Sequence, residues 1–498
     1  MQSILNLTNT TKLILAAFAF LAVFTFGSGR ANAATLNVTG GCTLPIAINS
    51  VNAGANQSGC TAVVSPDSYG TNDTITIPAG TITLTASLPA ITEDVTIQGA
   101  GIGDTIVDGD SDAVAFEAQD VTIAISDLTV TAYRESAVST EDCDVTLENI
   151  EVDGTGATDA FYSIIIVNST SSSKTITSNN IYLHDINDDH DIMYGFSVHQ
   201  SGGGTTTADL SNITLADSSN SGGSFDGFVL GIGAVPTFGA VGNINGTISN
   251  ATLSNLSASE ISAPYATFAF ASGGTANVTV DVYNSTITGN RGSTGAIFPI
   301  AGIKSAAFYS AAAGLGSSDV ATSTLRVGNS LFADNLTDTN SSNCESANFT
   351  SSFGGTGTGI ATTASLGHNI SDDATCTSFT EEGDQQNVNN IISTLGPLQN
   401  NGGAVPTRAL LPGSPAIASG GSVLGVTTDA RGIARPSDCP SVGAFQFEGA
   451  VCAASTTNAG TNAGAPNTGA NPVSLVSSLL ASFTGLLTLG YVFAHKRA

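Results

Sequence analysis

The densest run of groups able to do acid–base or metal chemistry is Asp185 to Asp191, DINDDHD. It carries Asp188, Asp189, His190 and Asp191, and His184 directly precedes it. Two or three carboxylates meeting on one strand face could hydrolyse a glycosidic bond, one as acid and one activating water. The same hard oxygen atoms could hold calcium. The run also reads as a solvated loop, because density of acids is its only signal. The reading therefore assigns no catalytic residue, no metal ligand and no cofactor. Asp188, Asp189, His190 and Asp191 stand as the alternative catalytic set, with calcium as the cation such a loop would take.

These residues need elements to position them, and the chain supplies a repeat. Val145 to Val152 reads VTLENIEV, and near-copies recur at Val121 (VTIAISDLTV), Ile176 (ITSNNIYL), Ala208 (ADLSNITL), Gly246 (GTISNATL), Val280 (VDVYNSTI) and Leu325 (LRVGNSLF). Each alternates apolar with polar residues and is rich in β-branched types, which is a strand signal. Each carries an Asn or Asp at one place, giving the column Asp127, Asn149, Asn180, Asn212, Asn250, Asn284, Asn329. A looser column follows at Asp153, Asp185, Asp217, Asn255, Asn290 and Asn335. Such spacing is that of solenoids, in which each turn buries its apolar side only by stacking on its neighbours. The expected fold is all-β, a right-handed parallel β-helix with caps at both ends and a C-terminal transmembrane helix. Asn suits the corners because it tolerates left-handed backbone, and stacked Asn can bond from coil to coil. The competing architecture is a β-sandwich array with chance Asn turns.

Read in order, residues 1–33 form a secretory leader: Lys12, the apolar run Leu13 to Phe26, and a small-x-small site at Ala31-Asn32-Ala33. Residues 34–71 form an N-terminal cap and 72–394 the coil. Ser201 to Thr205, Ser221 to Gly239 and Ala311 to Ser323 are expected to leave the coil as loops, being Gly-rich or made mostly of small residues. Seven cysteines in an exported chain suggest disulfides. Proximity pairs Cys42 with Cys60, Cys344 with Cys376 and Cys439 with Cys452, leaving Cys143 free. A formal net charge of −28 argues against a nucleic-acid partner. The repeat region's cations, Arg134, Lys174, Arg291, Lys304 and Arg326, put no basic pair on one rung, so a lyase would lack its base.

Three stretches carry resemblances. Asp73-Thr74-Ile75-Thr76-Ile77-Pro78-Ala79-Gly80-Thr81-Ile82-Thr83-Leu84, Leu88-Pro89-Ala90-Ile91 and Val95-Thr96-Ile97-Gln98-Gly99-Ala100-Gly101 resemble the start of bacterial surface β-helix proteins opening on a Cys-Ser-Leu-Arg-Glu-Ala motif. Here the opening is Cys42-Thr43-Leu44-Pro45-Ile46-Ala47, without the Arg-Glu pair. Residues 395–448 resemble the choice-of-anchor Q module, through Asn401-Gly402-Gly403, Leu411-Pro412-Gly413-Ser414-Pro415, Asp429-Ala430-Arg431-Gly432 and Val442-Gly443-Ala444-Phe445. That resemblance implies a module closing the coil ahead of a surface anchor. Arg408 and Arg431 within it are expected to pair with acids or carbonyls.

Residues 449–472 form a flexible tether, and 473–498 an apolar run, Val473 to Ala494, with a basic end. Ala465-Pro466-Asn467-Thr468-Gly469 ahead of that run is similar to a sortase sorting signal, with Ala465 in place of Leu. Hydrolases of the β-helix fold pair Asp-Asp with Gly-His-Gly and Arg-x-Lys. Asp188-Asp189 matches the first, and the other two are absent from this sequence.

These readings converge on a wall- or membrane-anchored protein at the cell surface. Its expected partners are a sortase-like transpeptidase and a ligand on another cell or its glycans. The alternatives are a surface polysaccharide lyase or glycoside hydrolase, and a passive shielding protein.

Overall fold

A computed structural model describes residues 33–449 apart from 64–68, 72, 161, 189–193, 221–229, 237–238, 259–263, 293, 298–299, 305, 349, 351–354 and 424. The leader up to Asn32, Cys452, the sorting motif Ala465–Gly469 and the apolar run Val473–Ala494 lie outside the described residues. Among those described, no helix is long and apolar enough to cross a membrane.

The strands stack in parallel, coil on coil. Thr122–Thr131 pairs with Asp144–Asp153, that strand with Lys174–His184, and that with Thr205–Asn220. The register aligns Ile123, Val145, Ile176 and Ala208 in one inward row. A second, eight-stranded sheet, running from Phe116–Gln119 to Cys344–Asn348, contributes the other wall of each coil. Alternation puts Ile164, Phe196, Leu230, Tyr265 and Phe308 of that sheet inside, all nearly inaccessible. The result is a parallel β-helix whose core is one continuous column of Val, Ile, Leu and aromatic side chains.

Seven successive coils turn at a residue with left-handed backbone, within a long strand or directly after one. Asp127, Asn149, Asn180, Asn212, Asn250, Asn284 and Asn329 have φ between 50° and 59°. A β-branched residue would be strained there, whereas Asn and Asp tolerate the conformation. The side chains also bond between coils. Asn149 Nδ2 donates to Asp127 Oδ1 at 2.8 Å, and Asn180 Nδ2 to Asn149 Oδ1 at 2.9 Å. Asn212 Nδ2 donates instead to Asn179 Oδ1 at 2.8 Å.

The second column is less regular than its spacing suggests. Asp185, Asp217 and Asn255 are left-handed corners, and the register continues them to Gly289 and Asp334. Asp153 closes the strand before its corner. Asn290 and Asn335 fall one residue past theirs and point inward, where Asn290 Nδ2 donates to Asn335 Oδ1 at 2.8 Å.

Parts of two stretches expected to be loops are strands: Leu230–Ala234 within the first and, within the second, the end of Phe308–Gly314 and the start of Val320–Gly328. Leu230–Ala234 and Phe308–Gly314 belong to the eight-stranded sheet. Their glycines and alanines reflect tight packing. A Cβ on Gly233 would lie 2.0 Å from the Phe268 ring of the next coil.

The N-terminal end is covered by helix Leu44–Ala53, whose Leu44, Ala47, Ile48 and Val51 join the main core. Pro45 lies in its first turn and Gly54 ends it in left-handed backbone. Disulfides join Cys42 to Cys60 and Cys344 to Cys376. Cys439 is also disulfide-bonded. Cys143 is a buried free thiol, and burial pushes it up to about 11.

At the other end the core is closed by Cys376 and Phe379, ahead of residue 395. The segment 395–449 runs back along the side of the coil as a strap. Its cause is apolar. On the last coils the outward positions are Leu331, Ala333 and Ile370, which Leu395, Leu410, Ala416 and Val442 cover. Burying each large side chain contributes about 2 kcal/mol. Further back, Asn329 and Gly421 exchange two hydrogen bonds, Ala444 N–H donates to Thr286 Oγ1, and Thr214 Oγ1 donates to the Pro406 carbonyl. Arg408 donates to the Gly396 carbonyl and Thr288 Oγ1. Arg431 pairs with Asp429 and Glu448 and lies 3.6 Å from the centre of the Phe445 ring.

Candidate functional site

The strap reaches as far as Tyr182, and around that ring, at Glu151, Asp153 and His184, the outward face of the long sheet is polar. Register sets Glu151 beside Tyr182 and Asp153 beside His184. All four project outward because their neighbours Ile150, Val152, Ile181 and Leu183 are inward and inaccessible. Asp185 follows at its left-handed corner, and Asp217 occupies the next corner of the same column.

The imidazole of His184 sits between two carboxylates. Its Nε2 lies 3.3 Å from Glu151 Oε1 and its Nδ1 2.8 Å from Asp185 Oδ2. The ring stacks on Tyr182 with centroids 4.1 Å apart and planes 21° from parallel. Glu151's other oxygen accepts from Thr129 Oγ1 at 2.7 Å. Asn255 Nδ2 donates to Asp217 Oδ1 at 2.8 Å.

The electrostatics follow from this geometry. The hydrogen bond from His184, aided by that from Thr129, holds the Glu151 carboxyl below its ordinary value although burial opposes it. Burial by itself would push His184 down. The bonds to Glu151 and Asp185, with the charge of Asp153, outweigh it and hold His184 above its ordinary value. Burial and the surrounding carboxylates push Tyr182 up to about 12. At neutral pH Glu151 is therefore ionised, beside one imidazole and one phenol.

That arrangement suits binding better than glycoside cleavage. A general acid needs a carboxyl kept protonated near neutral pH. Glu151 is shifted the wrong way. Among the described residues the raised carboxyls, Asp73 and Asp372, are structural: Asp73 accepts from the Ala34 and Gly70 amides, and Asp372 from the Asp334 amide and Asn343. Asp153, His184 and Asp185 bring ligand atoms within 4.8 Å of one another, a spacing open to a divalent cation. Three protein groups are fewer than calcium normally takes, and both imidazole nitrogens are already engaged.

Of the run read from sequence, His184 and Asp185 enter this patch. Asn187–Asp188 forms a short strand against Ser219–Asn220. Asp189, His190 and Asp191 lie outside the described residues. Glu151, Asp153 and Tyr182 were missed as a site. The signal was the repeat itself, since Glu151 and Tyr182 both stand two residues past their corner Asn, and Asp153 and His184 four.

A second aromatic feature lies on the outer face of the short sheet. Tyr162, His199, Phe268 and Phe270 follow one another with ring centroids 6.4, 5.4 and 5.9 Å apart. His199 is buried there, which pushes it down to about 4.

No family model matches the chain, and no curated protein matches it. Among solved structures it is similar to the A-module of the mannuronan C-5 epimerase AlgE4 of Azotobacter vinelandii. The identity is 12%, over 55% of this chain and 88% of that one, with a TM-score of 0.17. A likeness at that score carries no argument, so the coil rests on its own strand pairing and the resemblances at 73–101 and 395–448 on their sequence pieces.

Proposed function

We propose that the chain is a surface-anchored parallel β-helix that recognises another cell or its glycans through the outward face around Tyr182. The observation that supports this is the patch of Glu151, Asp153, His184 and Asp185 around one aromatic ring, with its carboxyl groups hydrogen-bonded in place. Such a surface offers acceptors and a stacking plane to hydroxyl-rich or cationic groups, and holds no proton ready for a leaving oxygen. The test is binding of the purified 34–448 fragment to whole cells and to a glycan array, with polysaccharide turnover assayed in parallel. Changing Asp153→Asn together with Asp185→Asn should weaken binding about tenfold or more and leave thermal unfolding within a few degrees of wild type. Turnover that disappears in this double variant would replace the reading by an enzyme. Absence of any binding would leave a passive shield.

Anchoring belongs to the same proposal. The apolar run Val473 to Ala494 and His495-Lys496-Arg497 would halt export, presenting Ala465 to Gly469 in an open tether. A sortase-like thiolate would attack the Thr468 carbonyl, Gly469 would leave as an amine, and a wall amine would take the acyl group. Thr468→Ala should leave the protein in the membrane fraction with its tail attached, whereas wild type should end at Thr468 and need wall-digesting enzymes for release. Wild-type protein that still carries Lys496 and Arg497 and dissolves in mild detergent would reduce the tail to a plain membrane anchor.

A further inference from the structure

The patch and the strap meet at one residue. Tyr182 packs against Val405, Ala430 and Ala444 of the strap, and His184 stacks on Tyr182. On the next coil Thr214 is the strap's polar contact, through the Pro406 carbonyl. We propose that His184 is a pH-sensitive latch that fastens this end of the strap to the coil through Tyr182.

The chemistry lies in the two ring nitrogens. A protonated imidazole donates from both, and here both face carboxylate oxygens, of Glu151 and of Asp185. A neutral imidazole keeps one N–H, and its other nitrogen becomes an acceptor. That lone pair would face a carboxylate oxygen, so one of the two bonds must break and the ring must turn. Turning it removes the near-parallel stack on Tyr182, which also packs against the strap's apolar side chains. The coil's own charged groups around the ring agree in sign. From the preceding coil come Glu151 and Asp153, from its own coil Asp185, and from the following coil Asp217, bonded to Asn255. The strap adds the Asp429–Arg431 ion pair on either side of Ala430 and the guanidinium of Arg408, which feels Asp217. Deprotonating His184 therefore removes the cation that the coil itself places among its four acids.

The direction follows from linkage. His184 is raised in the folded chain, so its contribution is complete below its ordinary value of 6.5 and lost as pH climbs through the folded value above that. Glu151 is lowered, so its contribution is complete above its ordinary value of 4.5 and lost as pH falls through the folded value below that. The latch is fully closed between those two ordinary values and loosens on the alkaline side.

Hydrogen exchange on the full chain reads this directly. The reporters are the Ala430 amide, bonded to the Ala444 carbonyl, and the Ala444 amide, bonded to Thr286 Oγ1. After correction for the chemical exchange rate, their protection should fall by about twofold to tenfold between about pH 6 and about pH 8.5, tenfold being the limit for each pKa unit by which His184 is raised. The Leu215 amide in the coil should hold its protection. In His184→Gln, which cannot titrate, strap protection should be equal at the two pH values. A merely structural His184 would give wild type equal protection at both. Equal protection in wild type overturns the latch, and so does a pH dependence that survives in His184→Gln.

Discussion

Arg435→Met should lower the stability of the strap by about 3 kcal/mol, and Arg435→Lys should recover little of it. Arg435 is the polar centre of the strap. Its guanidinium donates to the Thr428 carbonyl at 3.2 Å, the Ser441 carbonyl at 2.9 Å, the Gly443 carbonyl at 2.8 Å and Asn250 Oδ1 at 2.9 Å. Three of these acceptors belong to the strap and the fourth to the coil's corner column. Burial pushes the group down to about 10, which still leaves it charged at neutral pH. Methionine fills a similar volume and takes the donor from four part-buried acceptors, of which the Thr428 carbonyl keeps Asn250 Nδ2. Each such loss costs about 1 to 3 kcal/mol, but the strap can relax and let water in, so the sum overstates the effect. An ammonium cannot point at acceptors spread around a planar fork. Asn250 supplies the link to the coil, and its own Nδ2 donates to the Thr428 carbonyl at 3.0 Å. Arg435→Met and Asn250→Ala should therefore be coupled, the pair costing about 1 kcal/mol less than the sum. Urea unfolding followed by hydrogen exchange at Gly443 and Ala444 measures both. An Arg435→Lys variant as stable as wild type would mean that the strap is held by its apolar contacts alone.

The corners were legible because their chemistry is local. A left-handed residue within a strand narrows the choice to Asn, Asp or Gly, and seven successive coils use Asn or Asp at it. The inward rows were legible for a similar reason, since period two puts Ile150 and Val152 on one side and Glu151 and Asp153 on the other. Two features were not. Leu230–Ala234 and the stretch from Ala311 to Gly314 read as loops because glycine and alanine are turn and spacer residues by composition, and only the neighbouring coil shows that Phe268 needs the room above Gly233. The path of residues 395–449 was equally hidden. Their motifs say that a compact segment follows the coil, but its place on the side is decided by Leu331 and Ile370, outward apolar residues that look like any other strand positions in the sequence. The patch around His184 falls between these cases. Its paired residues on the two coils are 31 to 33 apart in sequence, and they meet only when repeats are aligned on Asn149 and Asn180. A search for local acid density finds Asp188 and Asp189 instead.

Phe332→Ala should cost about 3 to 5 kcal/mol and should split unfolding into two steps. The interior changes character along the axis. Around Leu147, Ile150 and Ile181 the core is aliphatic and inaccessible. Toward the C-terminal end it carries a buried polar network: Asn290 donates to Asn335, Asn335 to Asn343 at 2.9 Å, and Asn343 to Ser371 at 2.8 Å. What keeps those coils apolar on the other side is a chain of rings. Tyr265, Phe308, Phe332 and Phe379 follow one another with centroids 6.4, 5.9 and 5.8 Å apart. Phe332 is the middle contact between the coil and the residue that closes it. Its loss opens a cavity beside buried amides, where water can enter and compete for their bonds. In a solenoid each coil contacts only its neighbours, so a defect that exceeds the coupling between coils lets one end unfold first. The Cys344–Cys376 bridge spans this end and limits how far it opens, so a reduced sample should separate the steps further. Leu147→Ala is the control. It removes a fully buried side chain between apolar neighbours on both sides, and should shift a single transition by about 2 to 5 kcal/mol. Calorimetry distinguishes the two. One transition for Phe332→Ala, displaced no more than that of Leu147→Ala, would show that the polar interior holds the last coils without the aromatic chain.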